Sequence, residues 1–143
     1  RLKQDAEAAS VLQRAADADV RGVELTLLRG RLAAYRGDLE DAIRFFKQAE
    51  TEDPQNPVSA RFFLGSAYLQ AGNLDEAVAS FKQLLDAAPD YPAALRLLGD
   101  AYYQKKEAQQ AIAYYERFLR AAPDDPDATV VRARLRLLSA SRP

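Results

Sequence analysis

A spacing of 34 residues organises this chain. Gly65 matches Gly99, Tyr68 matches Tyr102, Ala77 matches Ala111, Phe81 matches Tyr115 and Pro89 matches Pro123 at that step. A step of 35 back finds Gly30, Ala42, Phe46 and Pro54 from the same set, and Gly37 from Gly72, the extra residue falling between Pro57 and Gly65. The distance from Gly to Pro is the same in every copy: 30 to 54, 65 to 89 and 99 to 123. A period of this length means a linear array. Each unit is one supersecondary motif that cannot bury its apolar face alone, and stacking of neighbours makes the core continuous.

The punctuation inside a unit predicts a pair of helices. Ser59 to Gln70 lies between Pro57 and Gly72. Proline suits a helix N-terminus, where its missing N–H costs little, and Gly72 supplies a turn with positive φ. Asn73 and Asp75 open the next helix, where a capping side chain and a negative charge are both favourable. Pro89 closes it, because the residue before proline is biased away from the α region. The same order recurs as Gly37-Asp38-Leu39-Glu40-Asp41-Ala42. In the third unit the turn is Lys105-Lys106-Glu107, with lysine in the glycine position. A left-handed lysine costs on the order of 1 kcal/mol, so this turn is expected to be the loosest or to take another shape. Ala8 and Leu12 continue the pattern backward, and Ala133 continues it forward. Leu2 to Asp17 therefore reads as the second helix of an earlier unit, and Asp127 to Ser139 as the first helix of a fourth. The expected organisation is a half repeat (1–22), three repeats (23–56, 57–91, 92–125) and a closing helix (126–143), in one structural domain.

The matched positions carry core chemistry. A small residue in the first helix (Gly30, Gly65, Gly99) and an alanine in the second (Ala42, Ala77, Ala111) allow close approach, and an aromatic (Phe46, Phe81, Tyr115) fills the space toward the next unit. Leu64-Gly65-x-x-Tyr68, Ala77, Phe81, Pro89, repeated as Leu98-Gly99-x-x-Tyr102, Ala111, Tyr115, Pro123, resembles the tetratricopeptide repeat. The sequence departs from that pattern at Arg61 and at Leu95 or Arg96, where the family often has Trp, and at Ala33, where it has Tyr. The resemblance implies an all-α fold, an α-solenoid or right-handed superhelix of about seven to eight helices in helix-turn-helix repeats. It also implies that the first helices line a concave groove that binds a peptide or helix of a partner protein.

Composition narrows the function. The chain has no Cys and no His, which excludes thiolate and histidine catalysis and His- or Cys-ligated zinc. No convergent catalytic set appears, so an enzyme is not expected, nor a cofactor or metal. An Asp17-x-Asp19-x-x-Gly22 start of a calcium loop fails, because Leu28 stands where a bidentate Glu is needed. The acidic clusters at Asp38/Glu40/Asp41, Asp75/Glu76 and Asp124/Asp125/Asp127 sit at helix N-termini, where the macrodipole accounts for them. A net charge of -1 is not the cationic footprint of a nucleic-acid binder, and no apolar run is long enough to insert in a membrane. The chain opens on Arg1 and has no Met, as a soluble fragment of a longer protein would, cytoplasmic or periplasmic. Its 28 Ala, and 15 Arg against 5 Lys, suggest a GC-rich bacterial genome.

Groove positions implied by the resemblance are Leu27, Arg31 and Tyr35 in the first unit, Phe62, Ser66, Leu69 and Gln70 in the second, Arg96, Asp100 and Tyr103 in the third, and Arg134 in the closing helix. Aromatic and arginine side chains are frequent interface anchors. An apolar strip with arginines at intervals suits an amphipathic or extended peptide carrying some acid. The competing readings are that Arg96 and Asp100 pair within their helix and that Leu27, Phe62 and Leu69 pack inward. Family members that hold acidic chaperone tails use Lys, Arg and Asn at positions matching Leu27, Arg31, Phe63, Ala93 and Leu97. Only Arg31 is basic here, so that carboxylate clamp is absent. The expected function is a protein–protein interaction scaffold. The alternative is a self-assembly module, a homo-oligomer stacking through solenoid ends, since neither the half repeat, with Leu2, Ala9 and Val11, nor the last helix, with Val131, Leu135 and Leu138, shows a strong polar cap.

Overall fold

The computed structural model describes residues 2–17 and 22–141, and every regular element among them is an α-helix. In chain order these are α1 (Leu2–Asp17), α2 (Val23–Arg36), α3 (Leu39–Glu52), α4 (Val58–Gln70), α5 (Leu74–Ala87), α6 (Pro92–Gln104), α7 (Ala108–Ala121) and α8 (Ala128–Ala140). Most of the Asp17-to-Gly22 stretch once weighed as a calcium loop lies outside the described residues. The chain divides into two compact units, Arg1–Ala71 and Gly72–Pro143. The architecture is all-α, of the helix-turn-helix solenoid class.

In the first unit, α1 packs on α2, α2 on α3, and α3 on α4. Ala33, Ala42, Phe46, Leu64 and Ala67 form its buried centre, with Leu27, Ile43, Phe45, Phe63 and Tyr68 packed around them. A Cβ added at Gly30 would stand 2.5 Å from Cε1 of Phe46. Glycine there lets the ring of the same repeat lie directly on the α2 backbone. The ring also stacks on Phe63 of α4, centroids 5.4 Å apart, so one aromatic closes its own helix pair and joins the next. Lys47 lies over the Tyr68 ring at 5.8 Å, a cation–π contact of α3 on α4.

The second unit runs α5 on α6, α6 on α7, and α7 on α8. Phe81, Leu84, Leu95, Leu98, Tyr115, Phe118 and Val131 are fully buried. A Cβ at Gly99 would meet Cδ1 of Tyr115 at 2.5 Å, the arrangement of Gly30 and Phe46 again. Lys82 lies over Tyr102 at 5.7 Å, repeating Lys47 over Tyr68 one period later.

The turns after α2 and α6 are copies at backbone level. Gly37 at φ 86° sends its N–H to Ala34 O at 3.1 Å, and Asp38 sends its N–H to Ala33 O at 2.9 Å. Lys106 adopts φ 62° and repeats both bonds, to Tyr103 O and, through the Glu107 N–H, to Tyr102 O, each 3.0 Å. The expectation of a loose or different turn is therefore corrected: lysine takes the left-handed position and the Schellman closure survives. The expected side-chain caps do not form. Asn73 occupies the N-cap position of α5 and Asp38 that of α3, with no side-chain capping bond. Their ψ angles, 74° and 67°, lie short of the extended region from which a capping oxygen reaches the first-turn amides.

The repeat joints use one device. Asn56, Tyr91 and Asp125 each donate a backbone N–H to the carbonyl three residues earlier at 3.2 Å. Pro54, Pro89 and Pro123 take the second position of these turns, where their fixed φ is pre-set.

One further correction concerns α8. Val131 is buried and Leu135 and Leu138 are half-buried, so they do not form an uncapped apolar end. On α6, Leu95, Leu98, Gly99 and Tyr102 are all buried. One period later α8 has Thr129, Arg132, Ala133 and Arg136, all exposed.

Candidate functional site

The expected groove residues fall into two groups, one in each unit. In the first unit, Arg31 on α2 sits over the Phe63 ring of α4 at 5.3 Å. Phe63 meets Phe62 edge to face, centroids 5.4 Å apart. Arg31, Phe63 and Phe62 thus form one continuous patch. Tyr35 is 54% exposed and lines a shallow apolar recess of about 280 Å³ with Val11, Leu12, Leu28, Arg31 and Leu32. Leu27 packs against the buried centre. Leu69 is half-buried, and Gln70 is exposed at the end of α4. The Ser66 hydroxyl donates to Phe62 O in its own helix at 2.8 Å.

The second unit brings together Arg96, Asp100, Tyr103 and Arg134. Asp100 is the hub. Its Oδ2 accepts from Nη1 of Arg96 at 3.1 Å. Its Oδ1 accepts from the Tyr115 hydroxyl at 2.6 Å and also from Nη1 of Arg134. Arg134 donates in addition to the Tyr115 oxygen at 3.2 Å and lies over the Tyr103 ring at 5.5 Å. Arg96 turns its Nε to Asp127 at 3.0 Å. Burial, and then the neighbouring Asp100 carboxylate, push the Tyr115 hydroxyl well above its ordinary range, so it stays a donor. Two arginines face two aspartates, and the cluster carries no net charge. Beside it, Tyr103, Gln104, Lys106, Ala108 and Leu138 enclose an open, mainly apolar recess of about 460 Å³. Tyr103 remains 40% exposed at its rim.

The pairing of Arg96 with Asp100 was legible from their spacing. The reach of Arg134 to Asp100 was not, although the two residues occupy one repeat position in consecutive units, 34 apart. Tyr115 was counted only as core. The signal was its departure from Phe46 and Phe81 at the matched position: a hydroxyl added to a buried ring needs a polar partner. Phe63 and Lys106 were also missing from the expected set. Among the described residues, no group of three acidic side chains is placed to hold a metal ion, and no helix is long and apolar enough to cross a membrane.

Two tetratricopeptide-repeat profiles match the chain, over residues 33–81 and 59–126. A segment of 66 residues is 42% identical to cellulose synthase operon protein C of Pseudomonas fluorescens (strain SBW25), covering 46% of this chain and only 5% of that relative. Among solved structures, the first tetratricopeptide domain of Spaghetti (RPAP3) bound to the HSP90 peptide SRMEEVD superimposes with a TM-score of 0.76 at 23% identity, over 84% of this chain and 92% of that one. YrrB, described as having an unusual peptide-binding site, superimposes with a TM-score of 0.76 at 21% identity, over 92% and 67%. At these identities the likeness to the solved structures is one of fold. Period, helix pairs, glycine-on-aromatic packing and matching profiles agree: the chain belongs to the tetratricopeptide-repeat family.

Proposed function

We propose that the chain binds a segment of a partner protein on the faces of its first helices, as a scaffold within a larger bacterial assembly. The observation that carries this is the set of aromatic side chains left partly exposed there and flanked by arginines: Tyr35, Phe62 and Phe63 with Arg31, and Tyr103 with Arg134. Large rigid rings kept at the surface lose their hydrophobic stabilisation unless something covers them, and such rings are common interface anchors. The bacterial setting is supported by the likeness to cellulose synthase operon protein C. The residues needed for a carboxylate clamp are not in the sequence, so an acidic chaperone tail is not the proposed ligand. The alternative, self-assembly through the solenoid ends, has exposed apolar side chains at both, Val11 on α1 and Leu137 on α8, beside the exposed Arg132 and Arg136.

Affinity capture from a lysate of the source bacterium tests the proposal, comparing the wild type with Phe62→Ala/Tyr103→Ala. Both side chains are only partly buried, so helicity is expected to persist while a specific partner is lost. Identical captures would refute the placement of the binding surface, and a wild-type chain that elutes as a concentration-dependent oligomer would favour self-assembly.

A further inference from the structure

The groove of the second unit holds two arginines, yet its potential is not that of a basic site. Asp100 takes both guanidinium groups and the Tyr115 hydroxyl, with its side chain only 15% exposed. We infer that Asp100 sets specificity: from within the chain it fills the seat an acidic partner would take between Arg96 and Arg134. The second unit is thereby left for an amphipathic segment whose polar side chains are uncharged and whose apolar side chain enters the recess beside Tyr103. This rests on the groove reading above and names the chemistry of its partner.

The argument is one of exclusion and complementarity. An incoming carboxylate that left Asp100 in place would sit beside a like charge, which disfavours it. One that displaced Asp100 would leave a largely buried carboxylate without its cations, which is strongly unfavourable. Arg96 has a second acid in Asp127, and Arg134 has one face on the Tyr103 ring, so neither is held in reserve. The adjoining recess is mainly apolar and offers the Tyr103 ring, Ala108 and Leu138 to an aliphatic or aromatic side chain. Lys106 at its edge can lay its methylene stem along that surface and keep its ammonium in water.

Two fluorescein-labelled, terminally blocked Leu/Ala helix peptides, identical except for Gln or Glu at every polar position, provide the probe, read by fluorescence anisotropy. The wild type is expected to favour the Gln peptide by about tenfold at low salt, with the preference shrinking as salt rises. Asp100→Asn should reverse the order, because it removes the carboxylate that Arg96 and Arg134 share and leaves the cluster net positive, with Arg96 still on Asp127. Arg96→Gln/Arg134→Gln, which leaves Asp100 unneutralised, should sharpen the wild-type order and serves if Asp100→Asn folds poorly. Equal or tighter binding of the Glu peptide by the wild type overturns the inference, as does an unchanged preference in well-folded Asp100→Asn. Failure of the wild type to hold the Gln peptide also overturns it. The groove reading falls with it only if lysate capture is equally insensitive to Phe62→Ala/Tyr103→Ala.

Discussion

At the residue scale, two glycines and one tyrosine carry most of the local logic. Alanine in a helix interior is favoured over glycine by about 1 kcal/mol, so Gly30→Ala and Gly99→Ala would stabilise an isolated helix. Here the new methyl would press on ring carbons of Phe46 or Tyr115 at 2.5 Å, and both rings are fully buried with no room to retreat. Overpacking of this kind costs about 1–3 kcal/mol, so each substitution is expected to lower stability in urea by a net ~1 kcal/mol. A gain would refute the close-approach argument. Tyr115 adds a pH dependence. Its folded hydroxyl is held above the ordinary value of 10.0 by burial and Asp100. The unfolded chain therefore releases that proton first. Stability from this group is full below pH 10 and declines as pH rises toward the folded value. Tyr115→Phe should lose two hydrogen bonds, one donated to Asp100 and one accepted from Arg134, at a cost of about 1.5–3 kcal/mol at neutral pH, and show a shallower alkaline decline in a pH series of urea melts. An unchanged alkaline slope would remove Tyr115 as its source.

At the scale of the element, the turn between α6 and α7 shows how a period overrides a local preference. Lysine at φ 62° costs about 1–2 kcal/mol in the left-handed region. The two turn hydrogen bonds and the packing of α6 on α7 hold it there. Lys106→Gly relieves that strain but adds backbone freedom worth about 0.5–1 kcal/mol to the unfolded state. A net gain of about 0.5 kcal/mol and a Tm higher by about 1–2 °C are expected. A lower Tm would mean that the lysine side chain stabilises the turn by more than its backbone conformation costs. The helix starts show the limit of sequence grammar in the same way. Asp38 and Asn73 stand where caps belong, but the short turn sets ψ before the side chain can act, and the capping bonds are absent.

For the whole molecule, the relevant property is that each helix depends on its sequence neighbours. α8 packs on α7 and buries Ala128 and Val131, while Val130 and Leu137 stay exposed beside Arg132 and Arg136. Removing residues 128–143 should uncover apolar surface on α7 and speed amide exchange in α7 and α6, with α2 and α3 little changed, because stability in repeat arrays is a sum of nearest-neighbour terms. Uniform acceleration along the chain would show a single cooperative core instead.

Sequence by itself determined the repeat, the helix pairs, the glycine and alanine positions of close approach, and the residue types offered on the first-helix faces. These follow from a local rule applied at a fixed step, and a period exposes any such rule without knowledge of distances. Only the tertiary structure decided which charges find each other. Arg134 meets Asp100 because stacking sets matched positions of successive first helices side by side, and Tyr115 joins them because its ring, laid on Gly99, aims its hydroxyl at the same carboxylate. An ion pair between residues 34 apart depends on the superposition of whole repeats, so the groove read as an arginine-bearing strip in the sequence is, in the folded second unit, electrically balanced.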